Sequence, residues 1–434
     1  MHLSARTAKW LALTGVLLTL TLVGWLIRDQ WLAWQHLEQA REALQRGEPA
    51  LARSLLQRCV QTWPNSGETR FLAARAARRC GELNEASTHL EIAAANGWVD
   101  TAIFLERALL QVQNGDLASA ESYLQACLTH EHPDSELILE ILTPAYLRQM
   151  RLPQMRDCVE RWLRLNPQSA TAWYLQGVLF ERLILRREAV EAYSKAVQLE
   201  PNRRSYQLSL ARALIENNRP DDARTYLKSL LAADPDNQEL QLQLARSAMQ
   251  AGDFSEASSL LEGLLQRNPS AGVLQLRGRL ELEQGNYKQA NEYLQRAAQL
   301  EPYDTVTLYN WLRCLRKVGT PQQIAEVEKR FQQAEADLLR TRDLTREMLV
   351  RPEDPHLRMQ VGEIYLRIGK EQEGLRWLLS ALAVANDHAP THQLLAQYYQ
   401  QKGQFAAAEN HRRAAARSAS VDAIRRDSPQ KTKN

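Results

Sequence analysis

The sequence predicts an all-α fold: a solenoid of stacked helix–turn–helix units, preceded by one transmembrane helix. Three observations predict it. Pro133, Pro167, Pro201, Pro235 and Pro269 recur every 34 residues, and Pro302 follows after 33. A fixed period in this range marks an array of helix pairs. Small residues recur in the same register, as Ala74/Ala86, Ala108/Ala120, Ala211/Ala223, Ala245/Ala257, Gly278/Ala290 and Ala396/Ala408. They fall where two helices cross most closely and a larger side chain would push them apart. Finally, Trp10 to Ile27 form an uncharged run of 18 residues. As a helix it is about 27 Å long, close to the hydrocarbon thickness of a bilayer. An ordinary helical bundle has no reason to keep a constant period.

Composition narrows the functional classes. A solenoid of 434 residues escapes the usual limit on domain size, because each unit touches only its neighbours. The formal net charge of +3 is too small to imply nucleic acid. None of the five cysteines forms a C-x-x-C pair, which removes zinc-ribbon and thioredoxin-like readings. Cys59 and Cys127 occupy the place held in other units by Ala196, Leu230 or Ala297, and read as small buried hydrophobes.

In chain order, residues 1–9 are a short basic flank. Residues 10–27 are the expected signal-anchor helix, with Trp10 and Trp25 near its ends, where amphipathic rings prefer the interface. No A-x-A-like cleavage site follows. Arg6 and Lys9 on the short flank place the repeats on the extracytoplasmic, periplasmic side of an inner membrane; the near-balance with Arg28, Arg41 and Arg46 leaves the cytoplasmic alternative open. Residues 33–336 read as about nine units, the last degenerate, since Ile324 stands where a small residue belongs. Residues 337–354 read as a long helix and a break in stacking, a hinge between sub-arrays. Residues 355–420 give two further units, and 421–434 a disordered basic tail. Gly47, Gly81, Gly115, Asn218, Gly252, Gly285, Gly319, Gly369 and Gly403 mark the turns inside the pairs, as left-handed helix ends. The turns at 149–151 and 184–186 have no glycine.

The clearest unit is 170–201. Trp173, Gly177 and Phe180 lie on one face of its first helix, Ala189, Tyr193 and Ala196 on one face of its second, and Pro201 ends it. These seven residues resemble the signature of the tetratricopeptide repeat family. The resemblance implies a right-handed superhelix, whose first helices line a concave groove that grips an extended peptide or a partner helix.

One groove position per unit then carries Arg41, Arg75, Arg212, Arg246, Arg279 and Arg313. Guanidinium groups suit carboxylates and backbone carbonyls. Arg212, Arg246, Arg279 and Arg313 come from consecutive units and form the candidate site, with Tyr174 and Tyr309 as anchors. Glu216 and Glu283, four residues after Arg212 and Arg279, offer ordinary intrahelical ion pairs as the competing explanation. No Walker-type loop, G-x-S-x-G, H-E-x-x-H or G-x-G-x-x-G appears. His130 and His132 flank Glu131 in a loop ahead of Asp134, and Pro390 is expected to break the helix that would align His388 with His392. The expectation is therefore a non-catalytic, membrane-anchored scaffold without cofactor or metal, binding a protein and not a nucleic acid, in assembly of a bacterial envelope complex. The alternative is an accessory subunit or regulator of an envelope enzyme or secretion system.

Overall fold

The computed structural model describes residue 25 and residues 27–427, with side-chain surroundings as far as 417. Every regular element among them is helical. Eleven helix pairs follow one another. Helix α1 spans 27–45, then come α2 (Pro49–Thr62), α3 (Gly67–Arg79), α4 (Leu83–Ala95), α5 (Asp100–Gln113), α6 (Leu117–Thr129) and α7 (Ser135–Arg148). The series continues with α8 (Leu152–Leu165), α9 (Ala170–Arg182), α10 (Arg186–Leu199), α11 (Arg204–Glu216), α12 (Pro220–Ala233), α13 (Gln238–Ala251) and α14 (Phe254–Arg267). It ends with α15 (Ala271–Glu283), α16 (Tyr287–Leu300), α17 (Thr305–Val318), α18 (Pro321–Val350), α19 (Pro355–Arg367), α20 (Glu371–Val384), α21 (Ala389–Gln401) and α22 (Phe405–Asp427). Of the expected membrane-spanning run, residues 10–24 and 26 lie outside the described residues; no described helix is long and apolar enough to cross a membrane. Helix α22 extends into the stretch expected as a tail, and 428–434 lie outside the described residues.

The chain divides into two compact units, at Ile141/Leu142. The first holds α1–α6 and the start of α7. Its core begins with Leu37, Ala40, Ala43 and Leu44 of α1 on Ala52, Leu56 and Cys59 of α2. It continues through Phe71, which stacks on Trp98 at 5.6 Å. Cys59 is fully buried, as a small hydrophobe should be, and burial pushes its thiol up to about 11.

The second unit holds α8–α22. In its 170–201 repeat Ala189, Tyr193 and Ala196 are buried, and Trp173 and Phe180 pack partly buried against the same core. Pro201 follows the end of α10 and is exposed. A Cβ on Gly177 would sit 2.6 Å from the Tyr193 ring, which has no exposure through which to move. Gly177→Ala is therefore expected to cost about 1–3 kcal/mol by overpacking. Gly263, inside α14, has nothing within 4 Å of its would-be Cβ, so Gly263→Ala should instead add about 0.5–1 kcal/mol. Opposite shifts of the urea midpoint check the pair, and two shifts of one sign would contradict it.

A second register, not read from the sequence, ties six of the loops between pairs to the helix that follows. Arg70 Nε donates to Pro64 O at 2.8 Å, Trp173 Nε1 to Pro167 O at 2.9 Å, Gln207 Nε2 to Pro201 O at 2.6 Å and Gln241 Nε2 to Pro235 O at 2.7 Å. Arg358 Nη2 to Pro352 O (2.9 Å) and His392 Nε2 to Asn386 O (3.0 Å) repeat the offset of six residues. In these six repeats the position of Trp173 supplies a side-chain N–H, not necessarily an indole, to a loop carbonyl that has no helical donor.

Two turns without glycine hold the left-handed conformation on ordinary residues: Met150 at φ 54° and Ile184 at φ 58°. That conformation is unfavourable, most of all for a β-branched residue. Both turns receive later parts of the same unit. Arg358 of α19 donates to Met150 O at 2.9 Å across 208 residues of chain, and Met150 is 2% exposed. Ile184 lines a cavity of about 190 Å³ together with Glu181, Arg186, Glu216 and Leu338, the last from α18. Glycine would remove the strain but supply no side chain to pack. At the remaining turns inside the pairs glycine takes positive φ, or asparagine at Asn218 (φ 59°), except at Gly319, whose φ of −88° is ordinary. There Thr320 and Gln323 form a reciprocal capping box that starts α18.

Helix α18 runs for 30 residues. Its second half buries Asp337, Thr341, Leu344, Thr345 and Met348. Arg367 of α19 holds Asp337 through Nη2 at 2.6 Å and Nε at 3.2 Å.

Candidate partner-binding face

In the second unit α11, α13, α15 and α17 touch one another in file, while no such run joins α10, α12, α14 and α16. First helices therefore line the inner side of the curve in this stretch. Each contributes one arginine there, but the four arginines are not equivalent. Arg212 Nη2 of α11 donates to Glu239 Oε1 of α13 at 2.8 Å. In the first unit Arg41 of α1 reaches Glu68 of α3 in the same way. In both pairs the acceptor stands 27 residues after the arginine, in the first turn of the next first helix. The same step from Arg246 and Arg279 leads to Val273 and Val306. Among the described residues neither arginine makes a hydrogen bond or ion pair. Arg313 turns the other way, and its Nη1 donates to Glu283 Oε1 of α15 at 3.0 Å.

The pairs Arg212–Glu216 and Arg279–Glu283, offered by sequence spacing, do not form. Close approach of successive first helices puts Glu239 within reach of Arg212 and gives Glu283 to Arg313, which leaves Arg279 without either. Burial alone would raise the Glu239 carboxyl, but hydrogen bonds from Gln243 and Arg212, with the charges of Arg212 and Arg246, hold it below the usual range. Arg246 thus adds to a paired carboxylate it does not touch. Arg279 has no such neighbour.

The two tyrosines also part. Tyr309 is 51% exposed, lies under the Arg313 guanidinium at 6.0 Å and stands 6.0 Å from the Phe331 ring of α18. Tyr174 is partly buried. It stacks on Tyr206 of α11 at 4.6 Å and meets Tyr193 at 5.6 Å, so it cements one repeat to the next. Arg75 is likewise withdrawn. Its Nε donates to the buried Glu106 at 2.5 Å, and its Nη2 reaches Asp134 at 3.4 Å.

The histidines fall into structural places. His132 Nδ1 accepts from the Asp134 amide at 3.0 Å, inside a turn. Pro390 does not break its helix, because it occupies the first turn of α21, where no N–H is needed. His388 precedes that helix and His392 lies within it, yet His392 Nδ1 meets His411 Nδ1 at 2.9 Å instead of His388. Among the described residues no group of three or more histidines, cysteines or carboxylates is placed to hold a metal.

Two family models match parts of the chain. Residues 147–272 match the family model described as the cytochrome c-type biogenesis protein H TPR domain, and residues 242–305 match a tetratricopeptide repeat model. Tetratricopeptide-repeat models thus match residues 147–305 of the chain. No curated protein matches the chain. Among solved structures, a tetratricopeptide repeat protein from Parabacteroides merdae is similar at 17% identity, over 66% of this chain and 99% of its own, with a TM-score of 0.32. PilW, a type IV pilus biogenesis factor, is similar at 20% identity, over 46% of this chain and 92% of its own, with a TM-score of 0.39. YrrB, a tetratricopeptide repeat protein with an unusual peptide-binding site, is similar at 19% identity, over 43% and 95%, with a TM-score of 0.36.

Proposed function

We propose that the protein is a non-catalytic scaffold, anchored by residues 10–27 in a bacterial inner membrane with its repeats on the extracytoplasmic side. There it captures an extended, acidic segment of a partner protein during assembly of an envelope complex. One observation carries the binding role: Arg246 and Arg279, on adjacent first helices of the inner face, lack the carboxylate that answers Arg41 and Arg212. A guanidinium kept without an internal partner is available to a carboxylate from outside, and such charge-assisted bonds contribute about 1.5–3 kcal/mol each. Half-exposed Tyr309 and Val306, on the next helix, supply an apolar edge to the same strip. The cytochrome c biogenesis family model over 147–272 supports the envelope setting, and the basic flank before residue 10 supports the sidedness.

The test uses the full chain in detergent with a fluorescent, glutamate-rich peptide. Arg246→Glu/Arg279→Glu is expected to weaken binding at least about ten-fold, while Arg212→Gln, which loses only an internal pair, changes it little. Equal binding by the wild type and the double variant would remove this face as the site. A reporter fused after Asn434 reads the sidedness independently.

A further inference from the structure

Helix α1 carries two apolar stripes, and only one is used by the fold. Ala33, Leu37, Ala40 and Leu44 recur at helical spacing and are buried against α2 and α3. About a third of a turn around the helix, Ile27, Trp31 and Trp34 form a second stripe at spacings of four and three. These three are 64%, 56% and 56% exposed. The stripe stops being apolar at the next turn, where Glu38 and Arg41 form an ion pair. The exposed apolar surface is thus confined to the first turns of α1, directly after the uncharged run ending at Ile27.

We infer that Ile27, Trp31 and Trp34 dock on the lipid headgroup layer, so that α1 is held against the bilayer surface as well as tethered to it. The inference rests on the anchor reading above. The dimensions fit one occupant. If Ile27 lies at the edge of the hydrocarbon, Trp31 stands about 6 Å and Trp34 about 10 Å further along the helix axis. One headgroup layer is roughly 5–8 Å deep, and a tilt that turns the stripe downward brings both rings into it. Tryptophan is the side chain suited to that layer, with an apolar body and an N–H for the wet side. The Arg28 side chain, 63% exposed and 3.5 Å from the Asp29 carboxylate, starts in the same zone, and exchanging that exposed pair for lipid phosphates would let it lie along the apolar surface. The Glu38–Arg41 pair comes about 16 Å or more from Ile27 along the axis, where the stripe would have left the membrane. Docking here would fix the roll of the first repeat about its own tether.

The test reconstitutes the full chain in phosphatidylcholine–phosphatidylglycerol vesicles, some made with lipids brominated near the headgroup and some with lipids brominated near the bilayer centre. Flotation with the vesicles after a carbonate wash reads the anchor. Bromine quenching of tryptophan, compared between the wild type and Trp31→Phe/Trp34→Phe, reads the stripe. The expected result is that both chains float and that the double variant loses at least about a third of the quenching by the headgroup-proximal bromines, with little change for the central ones. If both float and quenching is the same, the rings do not touch lipid and the docking inference falls while the anchor stands. Shielding of the rings from aqueous iodide without bromine quenching, together with crosslinking between copies through α1, would assign the stripe to a second copy and also overturn it. A chain that does not float loses the anchor and the docking together.

Discussion

Glu106→Gln is expected to cost the first unit about 3–5 kcal/mol, the range for removing one partner from a buried ion cluster. Glu106 is 1% exposed and Arg78 1%. Its Oε1 accepts from Arg75 Nε at 2.5 Å and its Oε2 from Arg78 Nε at 2.7 Å. Arg78 Nη1 has Gln113 at 3.2 Å, and the Asp134 carboxylate reaches Arg75 at 3.4 Å. Neutralising Glu106 leaves the buried Arg78 guanidinium without a carboxylate and Arg75 with Asp134 alone. The pH dependence follows from the same geometry. Burial alone would raise the Glu106 carboxyl, but the charges of Arg78 and Arg75 outweigh it and hold it below the usual range. A carboxyl lowered by folding stabilises the protein above its unfolded value of about 4.3, and that contribution is lost as pH falls through the folded value. Hydrogen exchange should show α3–α5 of the wild type unprotected only in strong acid, and those of the variant weakly protected already at neutral pH. Equal protection at pH 7 would show that the cluster contributes no net stability.

Arg358→Met is expected to free α19 from the turn between α7 and α8, at a cost of about 2–4 kcal/mol. Arg358 has no exposure and no carboxylate within an ion pair. Its Nη1 donates to Met150 O at 2.9 Å and Ser380 Oγ at 2.8 Å, and its Nη2 to Pro352 O at 2.9 Å. Burial, helped by the charge of Arg151, pushes its pKa down to about 10, so it remains a cation at neutral pH. Methionine keeps much of the volume and removes the cost of burying a charge, which is why the loss should stay below the sum of three charge-assisted bonds. It still leaves the buried Met150 carbonyl and Ser380 hydroxyl, and the half-buried Pro352 carbonyl, without that donor. The diagnostic reading is where protection is lost. Amides of α19 and of residues 149–152 should exchange faster together, although about 200 residues separate them. Loss confined to α19 and α20 would mean that the contact with Met150 is incidental.

Much of this organisation was legible in the chain. Prolines at intervals of 34 and small residues such as Gly177 and Ala189 where helices cross are local demands, and local demands leave a periodic trace; that Gly177 is pressed by the Tyr193 ring is seen only in the structure. The offset of six from loop carbonyl to side-chain donor was equally periodic. It was missed because Arg70, Trp173, Gln207, Arg358 and His392 look unrelated until the N–H each supplies is seen. The glycine-free turns at Met150 and Ile184 were visible as departures, but their partners lie in α18 and α19, and no spacing rule reaches that far.

For the arginine row the division is sharpest. The sequence alone decided that four consecutive first helices carry Arg212, Arg246, Arg279 and Arg313 in register, and that Val273 and Val306 stand where Glu68 and Glu239 stand in two other repeats. Tertiary structure alone decided that Arg212 turns to Glu239, that Arg313 takes Glu283, and that Tyr174 faces Tyr206 instead of the open face. Position along a helix follows from a pitch of 3.6 residues. The choice among several charged partners depends on which helices approach within about 3 Å of one another's side chains, and that distance is set by packing of the whole array.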